Sequence, residues 1–277
     1  MEQSIISLKN VSYAYPHAAG DQRVALSDIT LDIREGEFIG LVGANGSGKS
    51  TLVRMLNALL VPVSGEVRVD GLLTSDRANH NRIRETAGMV FQNPDSQIVA
   101  TSVEDDIAFG LENLGLPVEE IERRITTAAR RFGVAGLLER EPHWLSGGQK
   151  QRVVLAGVVA LEPRVLILDE PTSMLDPCSR RRFHSLVEDL WRGGATIIYI
   201  TQLMDELAFA DRILALDAGR VVFDGRPRDI FSSDELLERI SLEPPLAVRL
   251  ARTLARRGCE LSPVPLTLSQ LAEEICG

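Results

Sequence analysis

Hydrophobic and polar residues alternate over the first part of the chain, between Ile5 and about Asp32. The segments ISLKNVSYAY and ALSDITLDI both carry this alternation, which is typical of antiparallel strands with one exposed face. A short apolar run at 37–42, EFIGLV, leads into a glycine cluster, and the next segment, STLVRMLNALL, has apolar residues at helical spacing. The order of strand, glycine loop and helix predicts the start of a parallel α/β unit.

The pattern becomes one of successive helices from about 93 to 160. Apolar strands return at 165–170 (VLILDE) and 195–201 (ATIIYIT), and a helix begins at Pro177 between them. We therefore expect a helical block that is inserted into an α/β core, with an antiparallel β subdomain contributed by the first strands.

The chain divides into two predicted domains, 1–231 and 232–277, at a change of pattern near Ser232. The second domain is a small, mostly helical extension. Its first helix carries an apolar stripe of aliphatic residues: Leu246, Ala247, Leu250, Ala251, Leu254 and Ala255. Thr267 and Gln270 have the spacing of a capping box for a second helix. Two such short helices need an apolar partner, either the main domain or the same extension of a second chain.

Composition narrows the class of protein. The 277 residues are 44% hydrophobic and 25% charged, as in an ordinary globular protein. The net charge is −9, from 30 Lys and Arg against 39 Asp and Glu, so we expect no nucleic-acid partner. No apolar stretch approaches the ~18 residues of a membrane span, and the N-terminus carries no export signal. With only three scattered cysteines, these features predict a cytoplasmic protein.

The octet GANGSGKS at 43–50 is a complete G-x-x-x-x-G-K-S phosphate-binding loop between a predicted strand and a predicted helix. Its glycines let the backbone wrap around phosphate oxygens, and the helix directs its positive end at them. We expect Lys49 to contact the β- and γ-phosphates and the Ser50 hydroxyl to bind Mg²⁺. The predicted nucleotide-binding residues here are Gly43, Ala44, Asn45, Gly46, Ser47, Gly48, Lys49, Ser50 and Thr51. The predicted fold class is therefore α/β with a P-loop NTPase core.

An acidic pair, Asp169 and Glu170, ends the apolar strand RVLILDE. We expect this strand to lie beside the phosphate-loop strand, at the edge of the sheet where ligands collect. Asp169 would then orient Mg²⁺, and Glu170 would act as the general base for a water that attacks the γ-phosphate. The alternative is a capped strand end with no chemical role.

A second glycine-rich segment, LSGGQ, begins at Leu145. Ser146 and Gln149 are spaced as a capping box for the helix GGQKQRVVLAGVVAL. The Ser146 hydroxyl and the N–H groups of Gly147 and Gly148 at this helix N-terminus also suit an anion. An ordinary, well-capped helix is the alternative interpretation.

Taken together, these motifs resemble the ATP-binding subunits of ABC transporters, whose signature sequence is LSGGQ. The resemblance covers the chain between Ile5 and Phe231, with the motifs in the order and spacing of the family. It implies ATP and Mg²⁺ as ligands. It also implies a head-to-tail dimer with a second ATPase subunit, in which Ser146, Gly147, Gly148 and Gln149 of one chain close over ATP held by the other.

The same resemblance assigns roles to single residues. Tyr15, in VSYAYP, corresponds to the aromatic residue that stacks on adenine, although a strand tyrosine that faces the core is the alternative. Gln92, in VFQNPDSQ, corresponds to the glutamine that reaches Mg²⁺ and the attacking water. The segment SMLD at 173–176 matches the loop that communicates across the dimer, where the family usually has SALD.

One position departs from the family. After ATIIYIT most members carry a histidine that contacts the γ-phosphate, and this chain has Gln202. Glutamine donates a hydrogen bond but takes no positive charge. Either the chain forms a slow homodimer, or it pairs with a second, unlike ATPase chain whose site is stronger, unless Gln202 replaces the histidine without loss.

The string FQNPDSQ resembles the energy-coupling factor branch, which takes up vitamins and transition-metal ions. In that branch the surface between Asn93 and Ile98 receives coupling helices of a transmembrane subunit, and a small C-terminal domain helps to hold the ATPase pair together. The resemblance thus implies a peripheral protein at the cytoplasmic face of the cell membrane. The alternatives are an ATPase of a conventional ABC importer and an ABC ATPase that acts on nucleic acid.

Overall fold

Two β-sheets form the framework of the molecule. The structure is a computed structural model, and it describes residues 4–16, 22–259, 261 and 263–276. The strands of the smaller sheet are β1 (Ser4–Pro16), β2 (Gln22–Arg34), β4 (Ser64–Val69) and β5 (Leu72–Leu73). They pair antiparallel in the order β2-β1-β4-β5. This sheet is the predicted antiparallel subdomain, and its apolar residues face the core because they alternate with polar ones.

The larger sheet has six strands: β3 (Phe38–Val42), β6 (Ala87–Val90), β7 (Val165–Asp169), β8 (Thr196–Ile200), β9 (Arg212–Asp217) and β10 (Arg220–Gly225). Their order is β10-β9-β3-β8-β7-β6, and all neighbours are parallel except β9 and β10. Every residue of β3, β6, β7 and β8 is buried. Their unbroken apolar runs follow from this, since both faces of the sheet are covered.

The predicted contact between the acidic strand and the phosphate-loop strand is wrong. β8 lies between them, paired in parallel with β3 on one side and with β7 on the other. An apolar run identifies a buried strand but contains no information about its neighbours, because any such run can fill any central position in a parallel sheet.

Separate cores cover the two faces of the six-stranded sheet. Phe38 and Val42 of β3 belong to the core beneath the helices, whereas Ile39 and Leu41 belong to the core that is shared with the antiparallel sheet. Successive side chains of one strand therefore stabilise opposite layers.

The helices of the ATPase core and its insert are α1 (Lys49–Leu56), α2 (His80–Thr86), α3 (Val103–Asn113), α4 (Val118–Arg131), α5 (Gly147–Ala160) and α6 (Pro177–Arg192). Helices α3, α4 and α5 fall within the predicted helical block. The N-cap of α6 is Asp176, whose side chain accepts hydrogen bonds from the backbone N–H groups of Cys178 and Ser179. Within the described residues, no helix has both the length and the apolar character to cross a membrane.

The C-terminal segment contains α7 (Pro227–Phe231), α8 (Asp234–Arg239), α9 (Leu246–Ala255) and α10 (Leu268–Cys276). Val248 of α9 packs into the main core, while Ala247 and Ala251 form a small cluster with Leu271 of α10. Four large aliphatic side chains of these two helices stay 41–55% exposed: Leu246, Leu250, Leu268 and Ile275. The extension therefore packs on its own domain in part and keeps apolar surface.

The predicted capping box of α10 is only half formed. Thr267 Oγ1 accepts from the backbone N–H of Gln270 at 3.2 Å, as expected. The reciprocal bond runs to a different donor, because Gln270 Oε1 accepts from the backbone N–H of Leu266 at 2.8 Å and not from Thr267.

Candidate nucleotide-binding and hydrolytic site

The phosphate-binding loop connects β3 to α1 through backbone conformations that only glycine adopts easily. Gly43 has φ 142° and Gly48 has φ 107°. A Cβ at Gly43 would lie 2.1 Å from the carbonyl oxygen of Leu216, and a Cβ at Gly48 would lie 2.6 Å from that of Ala25. The loop is therefore fixed between neighbouring backbones, and α1 begins directly behind it.

Lys49, the first residue of α1, folds back over the loop. Its Nζ donates to the carbonyl oxygens of Gly43 at 2.8 Å and Ala44 at 3.1 Å. Burial lowers the pKa of Lys49, while the nearby charges of Glu170 and Asp169 act in the opposite direction. The ammonium group is thus held where a phosphate would meet it.

Ser50 and Asp169 face each other across the floor of the cleft. The Ser50 hydroxyl donates to Asp169 Oδ1 at 3.3 Å. Burial raises the pKa of Asp169, which is 6% exposed, and the hydrogen bond from Ser50 opposes that shift. A hydroxyl and a carboxylate at this distance form a pair of hard oxygen ligands.

Glu170 connects its own loop to two others through side-chain hydrogen bonds. Its Oε2 accepts from Gln92 Nε2 at 2.9 Å, and its Oε1 accepts from Gln202 Nε2 at 3.3 Å. Gln202 Nε2 also donates to Asn45 Oδ1 at 2.7 Å, which connects these three side chains to the phosphate loop. The backbone of Glu170 has φ 47°, a strained conformation of the kind that concentrates at functional sites.

Tyr15 lies at the rim of the same cleft. Its hydroxyl is 3.1 Å from Thr51 Oγ1, and its ring meets Tyr13 edge-on with centroids 4.9 Å apart. Tyr13, in contrast, packs against the core of the antiparallel sheet. On this strand Tyr13 therefore makes the contact with the core, whereas Tyr15 lines the cleft.

The cleft has a volume of about 620 Å³, within the range of small-ligand sites. It is lined by predicted residues from five segments: Tyr15, Asn45, Gly46, Gly48, Lys49, Ser50, Thr51, Gln92, Asp169, Glu170 and Gln202. Arg23 and Val24 also line it, although no motif in the sequence indicates them. Arg23 pairs with Tyr15 across the β1–β2 ladder, and only knowledge of that register would have identified it.

The LSGGQ segment lies apart from this cleft. Both bonds of its predicted capping box are present: Ser146 N–H donates to Gln149 Oε1 at 2.8 Å, and Gln149 N–H donates to Ser146 Oγ at 3.3 Å. A Cβ at Gly148 would lie 2.5 Å from Ser179 Oγ, so this glycine allows α5 to approach α6 closely. Gly147 has open space around it. The segment is thus presented on the helical block, outside the cleft of its own chain.

Known proteins resemble this chain over its full length. The family model for ABC transporters matches residues 26–173. The energy-coupling factor transporter ATP-binding protein EcfA1 of Caldanaerobacter subterraneus is 46% identical over 98% of this chain and 99% of that protein. EcfA1 of Symbiobacterium thermophilum is 48% identical over 100% of this chain and 98% of its own.

Solved structures of ABC ATPases are similar in fold to this chain. The protein cbiO1 from Clostridium perfringens, part of the ABC transporter complex cbiONQ, has a TM-score of 0.77 at 35% identity, covering 93% of this chain and 100% of that one. An ATP-binding cassette solved as a dimer with ADP and Pi has a TM-score of 0.73 at 29% identity, covering 80% of this chain and 98% of its own. The predicted fold class and family are confirmed. This chain belongs to the ABC transporter family, as an ATP-binding and ATP-hydrolysing subunit of the energy-coupling factor type.

Proposed function

We propose that the chain hydrolyses ATP with Mg²⁺ in a head-to-tail pair with a second ATPase subunit, at the cytoplasmic face of the cell membrane. The pair drives uptake of a vitamin or a transition-metal ion through a transmembrane subunit. One observation carries the proposal: the side chain of Glu170 meets both Gln92 and Gln202 beside the phosphate loop, while no residue of LSGGQ lines that cleft. A second chain would bring the missing signature segment to the cleft.

The residues beside the phosphate loop fit Mg²⁺. Ser50, Asp169 and Gln92 offer a hydroxyl, a carboxylate and an amide oxygen, which are the hard ligands that this ion prefers. The 3.3 Å contact of Ser50 with Asp169 brings two of them together, and Gln92 lies on the same cleft. When bound, Mg²⁺ would neutralise charge on the phosphates.

The hydrolytic step rests on Glu170. Its carboxylate takes a proton from the water that attacks the γ-phosphate. Gln92 and Gln202 hold that carboxylate from both sides, at 2.9 and 3.3 Å, so its position does not depend on the substrate. Lys49 stabilises the negative charge on the β- and γ-phosphates, and Tyr15 stacks on the adenine ring.

The second ATPase chain completes the site with its own LSGGQ segment. The Ser146 hydroxyl and the N–H groups of Gly147 and Gly148 stand at the N-terminus of α5, where the helix dipole favours an anion. Gln149 fixes this terminus through the capping box. A γ-phosphate from the partner's ATP is the anion that these groups accept.

The pair consists of unlike chains, and this chain holds the slower site. Gln202 already donates to both Asn45 and Glu170. An amide adds no positive charge at the phosphate, which removes part of the transition-state stabilisation that a histidine provides. A slow site is tolerable where the partner's site is complete, and this chain's LSGGQ serves that site.

The transmembrane subunit docks on the surface between Asn93 and Ile98. A groove of about 300 Å³ opens beside it, formed by Asp95, Ile98, Ala100, Thr101, Glu141, Pro142 and His143. Val99, between the groove residues Ile98 and Ala100, is 68% exposed. An exposed apolar side chain beside a mixed groove suits a short helix from a partner.

The variant Asp169→Asn separates the effect of the buried carboxylate on stability from its effect on ATP hydrolysis. Because burial raises the pKa of Asp169, its charged form destabilises the fold, and the penalty grows as the pH rises from the ordinary carboxyl pKa to the raised one and is constant above it. Without nucleotide, thermal unfolding near pH 7.5 should give a higher midpoint for the variant, and the gain should shrink as the pH falls toward ~4. Steady-state hydrolysis should fall at least about hundredfold.

Asp176→Asn is the matched control for that stability effect. Hydrogen bonds from Ser179, with one from Cys178, lower the pKa of Asp176, so removing its charge should not raise the midpoint. A midpoint for Asp169→Asn at or below that of the unmodified chain would contradict the buried charge.

Glu170→Gln should reduce turnover by about hundredfold or more, since general-base catalysis contributes roughly 10²–10⁴. Nucleotide affinity should stay the same, because Lys49 and the loop are unchanged. Single-turnover hydrolysis and size-exclusion chromatography with ATP should reveal retained ATP and an accumulated dimer. A variant that hydrolyses ATP at the original rate would exclude Glu170 as the base.

Gln202→His should raise turnover of the isolated chain about fivefold, because a charge-assisted hydrogen bond is worth about 1 kcal/mol more than a neutral one. The double variant Gln202→His with Glu170→Gln serves as the control and should stay inactive, which assigns the gain to this site. An unchanged rate in the single variant would mean that Gln202 does not limit hydrolysis.

Val99→Asp should reduce recovery of the transmembrane subunit from native membranes by about tenfold or more, because an unpaired carboxylate is costly to bury in an interface. Val63, also 68% exposed but next to the antiparallel sheet, provides the matched control, Val63→Asp. Mass spectrometry of the co-purified proteins measures the outcome. Equal loss in both variants, or recovery with ribosomes in place of a membrane subunit, would refute the docking surface.

A further inference from the structure

Glu206 is a buried carboxylate with no role in the chemistry described above. It lies in a short 3-10 helix, Met204–Leu207, directly after the strand β8 and Gln202. Glu206 is 6% exposed. Its neighbours Met204 and Leu207 both belong to the main hydrophobic core. A carboxylate at such a position costs stability that an apolar side chain would not.

The carboxylate joins two loops through hydroxyl groups. Oε1 accepts from Thr172 Oγ1 at 2.7 Å, and Oε2 accepts from Thr201 Oγ1 at 2.7 Å. The Thr201 hydroxyl in turn accepts from the backbone N–H of Leu203 at 3.0 Å. Both carboxylate oxygens are therefore used in different directions, toward different segments of the chain.

Two further contacts anchor this arrangement to α6. Arg180 Nε lies 3.9 Å from Glu206 Oε1, and its terminal nitrogen donates to the carbonyl oxygen of Leu175 at 3.3 Å. The His184 ring nitrogen Nε2 is 2.7 Å from the backbone carbonyl oxygen of Glu206. Arg180 thus balances the charge and extends the connection into the 173–176 loop.

The two threonines stand beside the residues of the hydrolytic site. Thr172 is two residues beyond Glu170, and Thr201 immediately precedes Gln202. The side chains of Glu170 and Gln202 meet at 3.3 Å in the cleft. A single buried side chain behind them therefore sets the separation of the two loops that carry them.

We infer that Glu206 is a positioning residue for hydrolysis, which fixes the Glu170 loop against the Gln202 loop through Thr172 and Thr201. The inference rests on the proposed roles of Glu170 and Gln202 and adds a residue that touches neither ATP nor water. Misplacement of a catalytic group by about 1 Å can lower a rate about hundredfold. ATP binding does not depend on this contact, because Lys49 and the phosphate loop are held by other bonds.

The test compares Glu206→Leu with Glu206→Gln. Leucine keeps the volume and the burial but accepts no hydrogen bond, so kcat should fall at least about tenfold while KM for ATP stays within about twofold. Its thermal midpoint should fall by a few degrees, because the hydroxyls of Thr172 and Thr201 and the guanidinium of Arg180 lose their buried partner. Glutamine keeps hydrogen-bonding capacity on both sides, since a threonine hydroxyl both donates and accepts, and should restore most of the rate.

Asp205→Asn is the matched control, since its exposed carboxylate lies in the same 3-10 helix and accepts, among the described residues, only from the backbone N–H of Leu246. It should leave kcat unchanged. Thr172→Val and Thr201→Val each remove one hydroxyl without changing size, and each should lower kcat severalfold. They carry the test if the leucine variant does not fold.

Two results would overturn the inference. The first is a leucine variant, or a pair of valine variants, with the original kcat. The second is a fall in kcat accompanied by a matching loss of ATP affinity, which would indicate general structural damage. Glu170→Gln, measured in parallel, separates this failure from that of the proposed function: if that variant stays active, the assigned base is wrong whatever Glu206 does.

Discussion

The position of β8 between β3 and β7 is the constraint on which the hydrolytic site depends. Parallel pairing aligns the carboxyl ends of these strands at one edge of the sheet. The backbone N–H of Glu170 extends the β7–β8 pairing by donating to Ile200 at 3.1 Å. The phosphate loop, Glu170 and Gln202 therefore leave the sheet side by side.

The electrostatics of the cleft follow from the same placement. Lys49 and Asp169 are 5% and 6% exposed, so each is charged against a desolvation penalty that shifts its pKa toward the neutral form. Each also lies close enough to the other to oppose that shift. Two opposite charges held in this way form a site that is arranged before substrate arrives, and such preorganisation is the main source of electrostatic catalysis.

Sequence predicted those parts of the site whose residues are contiguous. The loop at 43–50, the capping box of Ser146 and Gln149, and the helix that begins at Pro177 depend on backbone within a few residues, and all are present. The placement of the acidic strand beside the phosphate-loop strand was predicted wrongly, because apolar runs do not encode their neighbours. Arg23 was missed because its place depends on pairing between strands. Glu206 stands in a polar segment, ITQLMDE, where a glutamate is ordinarily exposed, and only the tertiary structure reveals its burial.

The short segment 92–97 connects the surface at 93–98 with Glu170 and with the helix α5. Gln92 donates to Glu170, and five residues later Gln97 is tied to the end of β6 through Phe91 N–H at 3.0 Å and the carbonyl of Met89 at 3.0 Å. Between them, Asp95 accepts from Lys150 Nζ at 2.6 Å, next to the LSGGQ segment. A displacement of the surface at 93–98 would therefore reach Glu170 and the helix α5 together. Because these bonds are short and local, the coupling needs no long-range rearrangement of the core, whose close packing resists continuous deformation.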